Sequence, residues 1–401
     1  MSMRVPQKKS CHLVGTLFVL VSFPFIFGPC LGCEEWPEWA QLLYYALFAT
    51  IFHFGSACVQ ISHLALIPVL AGQPGERTQL TAIRNAMTGA SNIAVYLVVW
   101  AVLGRRERAG LSEKDVQSFR YILLATLGPG ALASLAFQLV LRESGLAGVN
   151  KNGSQETKVK AASRWMLLLR EPQFYQVAGL YGATRLVVSL SQAYLPLYMS
   201  ESLQLNSRYV AIVPLVMFTS SFVSSFFIGP LASRVGIKTS YLVGAVLVVA
   251  ACCLVRFGGA AAAAQQQDWF SQAGIFVVAV LLGFAGALLT ITSLGLTTRL
   301  IGPNIKSSGM VFSAVGLTDS ISVGLAVMTI QQLIPCGDVQ CCAKGSQYFR
   351  DVLFYAVGGA AVLGAVCLLS LLPVRVGKQW QVEDIQHDTD PKVDRNLPTI
   401  N

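Results

Sequence analysis

The sequence predicts an all-α, polytopic membrane protein of about ten spans. Of its 401 residues 54% are hydrophobic and only 12% are charged, too few polar groups to cover the surface of a soluble fold. The apolar runs are long enough to cross a hydrocarbon layer of ~30 Å. Short polar turns separate them, and Gly, Pro and Ser occur within them, as neighbouring helices in a bundle allow. The ~10-residue alternation of a membrane β-barrel is absent from the sequence.

In chain order the expected spans are 12–29, 39–70, 81–103, 119–141, 174–199, 209–228, 239–255, 274–296, 309–334 and 349–372. Four precede the charged stretch Arg142 to Arg170 and six follow it. This predicts an N-terminal bundle over 1–141, a cytosolic linker over 142–170 and a six-helix bundle over 171–372. A disordered cytosolic tail over 373–401 completes the division, its acidic segment Glu383 to Asp394 lacking apolar periodicity.

The first span is read as retained. Arg4, Lys8 and Lys9 precede it, and it runs on through Phe23, Pro24 and Phe25 without a small-residue cleavage site. Basic residues then recur on one side: Arg77 and Arg84, the 142–170 stretch, Arg234 and Lys238, Arg299 and Lys306, Arg375 and Lys378. By the positive-inside rule that side is cytosolic, which also puts both termini there. The loop with Arg105, Arg106, Arg108, Lys114 and Arg120 runs against the rule. The net charge of +9 is explained by these loops and by anionic lipid headgroups, with no need for nucleic acid as a partner.

Cysteines follow the same topology. Cys30 and Cys33 fall in one predicted lumenal loop and Cys336, Cys341 and Cys342 in another, where an oxidising compartment favours structural disulfides. Neither loop contains His, so a metal site is not expected there. The remaining cysteines read as small packing residues. Asn152-Gly153-Ser154 fits a glycosylation acceptor but falls on the cytosolic side, and no role is assigned to the Ala260 to Gln267 tract.

Polar residues inside spans are costly and point to function. His53, Ser56, Gln60 and His63 lie at i, i+3, i+7 and i+10 on the second span, forming one helical stripe. The third span carries Thr81, Asn85, Thr88 and Asn92, and the fifth carries Tyr181, Arg185, Ser189 and Gln192. Three such faces imply a shared polar cavity, although interhelical hydrogen bonding accounts for any single Ser, Thr or Asn equally well. Arg185 has no acid one turn away and needs a partner from another helix or an anionic ligand; Asp319 is the natural candidate. His53 and His63 could carry protons or could be satisfied buried imidazoles.

The stretch Ser62-His-Leu-Ala-Leu-Ile-Pro-Val-Leu70, followed by Glu76-Arg-Thr-Gln-Leu-Thr-Ala-Ile-Arg84, resembles the helix-four to helix-five passage of the glycoside-pentoside-hexuronide cation symporters. These form a branch of the major facilitator superfamily. His12-Leu-Val-Gly, Ser22-Phe-Pro-Phe-Ile-Phe, Pro29-Cys-Leu-Gly-Cys33, Gln60-Ile-Ser-His63, Pro214-Leu-Val-Met217 and Gly324-Leu-Ala-Val-Met328 are similar to a lysosomal and melanosomal group of that superfamily. Gly229-Pro-Leu-Ala-Ser-Arg-Val-Gly-Ile-Lys238 resembles the second-half copy of the superfamily's cytosolic loop between the second and third helices of a repeat, where Gly and basic residues suit a tight turn held against neighbouring helix ends.

The resemblance, from about His12 to Leu372, implies a facilitator-type transporter without a cofactor. It implies a place in lysosomal and melanosomal membranes, cysteine entry into those organelles, and a link to pigmentation. Aligned on it, the first two family helices are missing, so a transport-incompetent short form or regulatory pseudo-transporter is an open alternative. A cation-coupled symporter of another small polar solute is a second. Arg84, which closes the quoted segment, joins His53, Gln60, His63, Asn85, Asn92, Tyr181, Arg185, Gln192 and Asp319 as candidates for solute contact or for proton or cation coupling. Val69, Ser320 and Arg299 stand where the family pattern has an acid, a lysine and an acid, which weakens the case for inherited ion coupling. The chain shows no nucleophile and base constellation of the kind an enzyme needs.

Overall fold

In the computed structural model residues 5–28, 30, 32, 36–71, 73–103, 116–140, 171–203, 205, 207–258, 273–301, 308–334 and 342–373 are described. Among them every regular element is helical. The helices are α1 (Val5–Phe27), α2 (Glu38–Leu70), α3 (Pro74–Leu103), α4 (Val116–Val140), α5 (Pro172–Leu197), α6 (Ser207–Val235), α7 (Ile237–Cys253), α8 (Ile275–Ile301), α9 (Ser308–Gln332), α10 (Cys342–Val352) and α11 (Gly358–Leu371). A π-helical turn at Leu353–Val357 joins α10 to α11 as one rod, and π turns at Tyr198–Ser202 and Leu254–Gly258 prolong α5 and α7.

Eight of these rods are long and apolar enough to cross a membrane among the described residues. The two rods outside that set are α3 and α5, of 30 and 26 residues, which carry two of the polar stripes seen in the sequence. Their length suits a span while their polarity requires shelter from lipid. The packing supplies it: α3 lies against α6 and α8, and α5 against α8, α9 and α11.

Helix starts follow local chemistry. At α3, Pro74 takes the first helical position, where its missing N–H costs nothing, and the Glu76 carboxylate accepts from the Gln73 N–H at 3.2 Å. Between α6 and α7 a single residue, Gly236, turns the chain with φ 97°, a conformation that disfavours any side chain. Lys238, just beyond, donates from Nζ to the carbonyls of Leu371 and Leu372 at the end of α11. A cation there complements the negative end of the helix dipole. The tight turn and the docked basic residue expected of this loop are both present.

The core centres on α8, buried along most of its length. Close approach depends on small residues: a Cβ on Gly283 would collide with the Met217 carbonyl of α6, and Ser220 Oγ donates to the Val280 carbonyl at 2.9 Å. The hydrophobic effect does not draw helices together in lipid, so association rests on such close van der Waals contacts and on interhelical hydrogen bonds. Tyr241 of α7 is buried with its hydroxyl 3.0 Å from Thr184 Oγ1 of α5.

Ends of several helices meet at one side of the bundle, termed the proximal side because α1 begins there. Gln138 near the end of α4 donates to the Lys9 carbonyl of α1. Ser308, starting α9, donates to the Ala65 carbonyl near the end of α2 at 3.2 Å. Buried Arg77, starting α3, donates from Nε to the Ala71 carbonyl at 3.0 Å and from a terminal nitrogen to the Thr298 carbonyl of α8 at 3.2 Å. The π turns gather on the opposite, distal side, where Arg256 and Asp351 approach to 3.7 Å.

Candidate functional site

A cavity of about 830 Å³ opens among α1, α2, α3 and α4, and all its lining residues lie on these four helices. From α2 it receives Ser56, Gln60 and His63, three of the four residues of the sequence stripe. The fourth, His53, is exposed and turned out of the cavity, with its ring edge-on to Phe52 at 5.6 Å. A 33-residue helix drifts relative to any straight stripe, and ten residues of separation are enough to rotate His53 off the shared face.

From α3 come Arg84, Thr88 and Ser91. The remaining stripe members on this helix are used otherwise. Asn85 Nδ2 donates to Ser225 Oγ of α6 at 2.9 Å, and Thr81 is buried with its hydroxyl bonded to the Arg77 carbonyl. Asn92 is half-buried and lies outside the lining. Thus α3 has two polar faces where the sequence suggested one.

The α5 stripe does not reach the cavity. Arg185 Nε donates to Asp319 Oδ2 of α9 at 3.0 Å, joining the two residues proposed as partners from sequence. Tyr181 is buried and within electrostatic range of Arg185, Asp319 and Arg84, whereas Gln192 is exposed. The expected sharing of one cavity by the second, third and fifth spans is therefore corrected: the fifth span spends its arginine on α9, and α1 and α4 complete the wall.

Arg84 links the two regions. It lines the cavity and lies within electrostatic range of Tyr181 and Arg185, yet its guanidinium makes no hydrogen bond or ion pair with a described residue.

Sequence reasoning missed His12, Thr16, Ser134 and Phe137. His12 is buried, its ring 4.6 Å from that of Phe137, with Nδ1 3.1 Å from Gln138 Nε2. His63 stacks on the same phenyl ring at 5.6 Å, so Phe137 contacts two imidazoles. His63 Nδ1 is buried without a hydrogen-bond partner among the described residues. The signal available in the sequence was a lone polar residue near the start of the first span, easily absorbed into the basic leader before it.

Cys30 takes part in a disulfide. Cys33, Cys336 and Cys341 lie outside the described residues, and only the backbone of Cys342 is described. The 142–170 stretch, the loop at 104–115, the 260–267 tract and the tail beyond 373 likewise lie outside them. Cys11, Cys58, Cys252, Cys253 and Cys367 are free thiols in or beside helices, as packing residues would be.

Comparison with known proteins places this architecture. The chain is 39% identical over 397 residues to mouse Major facilitator superfamily domain-containing protein 12, spanning 93% of this chain and 80% of the mouse protein. The human protein of the same name is also 39% identical over 402 residues, with 94% and 80% covered. Among solved structures, the proton:xylose symporter XylE superposes with a TM-score of 0.65 at 13% identity, covering 92% of this chain and 80% of that one. A bacterial homologue of the iron transporter ferroportin in an outward-facing state superposes with a TM-score of 0.61 at 16% identity, covering 90% and 83%. These two share the fold. The model of the family described as MFS/sugar transport protein matches residues 1–375. The chain therefore belongs to the MFS/sugar transport family and is a multi-pass membrane transporter homologue of the major facilitator superfamily.

Proposed function

We propose that the chain moves a small polar solute through the cavity among α1 to α4, and that this solute is cysteine, imported into lysosomes and melanosomes in support of pigmentation. The observation that carries the transport reading is the cavity itself. It falls within the ~300–1,000 Å³ range of small-molecule sites and sets Gln60, His63 and Arg84 within a mostly apolar wall. Such a wall gives orientation through a few polar contacts and releases the solute without deep trapping. The choice of cysteine and of compartment rests on the sequence resemblance and on 39% identity to a named relative. In this reading residues 1–141 and 171–372 act as two bundles that alternate about the site, joined by a cytosolic linker, with cytosolic termini. His63 is the candidate for proton coupling, being the imidazole of the cavity wall.

The test is uptake of labelled cysteine into organelles from cells expressing this chain, beside organelles lacking it. Uptake above background that saturates with unlabelled cysteine is the expected result. Background uptake with normal abundance and targeting of the protein would sink the reading.

A further inference from the structure

Charge in the cavity is one-sided. Among its lining residues Arg84 alone carries a full charge; the others are aliphatic, aromatic, amide, hydroxyl or imidazole groups. The two arginines near one another differ in their circumstances. Arg185 is held by Asp319 at 3.0 Å, while Arg84 has no described hydrogen-bond or ion-pair partner. One carboxylate thus stands against two guanidinium groups, and the excess positive charge remains where Arg84 meets the cavity.

A guanidinium cannot shed its proton to relieve this. An uncompensated arginine at membrane depth is costly, and a planar carboxylate compensates it well by accepting two parallel N–H bonds. The geometry points to a carboxylate-reading subsite: Arg84 binds the carboxylate of the transported solute, while the Arg185–Asp319 pair keeps the second arginine out of competition. This deepens the transport reading above and rests on it. It makes the carboxylate the obligatory recognition element, and it makes the amine secondary, since the lining residues include no acid to receive an ammonium. Gln60 and the hydroxyls of Ser56 and Thr88 offer neutral hydrogen bonds to the rest of the solute.

The test compares close analogues on the full chain: cysteine, 3-mercaptopropionate (carboxylate without amine), cysteamine (amine without carboxylate) and cysteine methyl ester. Two measurements are made, stabilisation of the purified protein against heating and competition with labelled cysteine uptake. Cysteine and 3-mercaptopropionate are expected to stabilise and compete, with cysteamine and the ester weaker by about tenfold or more, the cost of a lost charge-assisted bond. Arg84→Gln should erase that preference, and Arg84→Lys should retain part of it. Cysteamine competing as well as cysteine would overturn the subsite while leaving transport intact. Absence of uptake by a chain that carboxylates still stabilise would instead remove cysteine transport and leave the subsite standing. Should Arg84→Gln fail to fold, the analogue series on the unaltered chain decides the matter.

Discussion

Gly15 of α1 and Gly55 of α2 face each other across the helix crossing so closely that neither position has room for a side chain. A Cβ on Gly15 would lie 2.7 Å from the Gly55 carbonyl oxygen, and one on Gly55 would lie 2.8 Å from the Gly15 carbonyl oxygen. Backbones that approach this closely trade side-chain bulk for dispersion contact along the crossing, one of the attractions that hold helices together in lipid. Thr16 and Ser56, one residue beyond each glycine, line the cavity. The crossing therefore sets the width of the site.

Replacing Gly15 or Gly55 with Val should separate α1 from α2 and lower stability by about 1–3 kcal/mol, the usual cost of overpacking. Thermal melting of the detergent-solubilised protein measures this. A melting temperature unchanged in both variants would show that the crossing tolerates bulk.

Arg185→Gln leaves Asp319 without its cation, and breaking a buried pair costs about 3–5 kcal/mol. The lower end is expected, since the Arg185 and Asp319 side chains are 30% and 13% exposed. Arg185→Gln combined with Asp319→Asn should recover much of the loss because no charge is then stranded. If the double variant melts no higher than the single one, the pair is not the source of the effect.

Arg77 ties the end of α2 and the end of α8 to the start of α3. Arg77→Met removes these charge-assisted bonds, each worth about 1.5–3 kcal/mol. Faster backbone hydrogen exchange is expected near residues 67–71 and 296–301, with little change at the distal ends of the same helices. Uniform exchange across the protein would argue against a local tie.

Gly236→Ala places a side chain at φ 97° in the one-residue turn between α6 and α7. A loss of about 1–3 kcal/mol is expected from backbone strain, measured as a lowered midpoint of thermal unfolding. An unaltered midpoint would mean that the turn can relax to an ordinary conformation.

Hydropathy and polar spacing made the rods legible. The span expected at 39–70 matches Glu38–Leu70, and the one at 309–334 lies within two residues of Ser308–Gln332 at each end. Ends were misplaced where polar turns prolong a helix past its apolar run, as at Pro74–Leu103, expected from 81, and Ile275–Ile301, expected to stop at 296. Hydropathy responds to lipid exposure, whereas helix continuation depends on caps and on bonds such as that from Gln73 to Glu76. The Arg185 and Asp319 pairing was legible because in-span charges have few possible partners. The cavity's composition was not: which face of α3 meets α6 and which meets open space depends on helix rotation, set by contacts such as Asn85 with Ser225 that no single stripe encodes.

The π turn at Leu353–Val357 carries a consequence for descent. A π turn adds one residue to a helix without breaking it, and one residue corresponds to about 100° of rotation. The extra residue sets the phase between the two sides of Leu353–Val357: upstream, Tyr348 bonds the Ile330 carbonyl and Phe349 stacks near Tyr194 of α5, while downstream Gly358–Leu371 packs on α5 and α7. Loss of one codon in this turn would return it to plain α-helix and rotate Tyr348 and Phe349 away from those neighbours, leaving the downstream half seated. A one-residue gap at 353–357 in a sibling sequence is thus the mark by which gain or loss of this turn can be traced through the lineage.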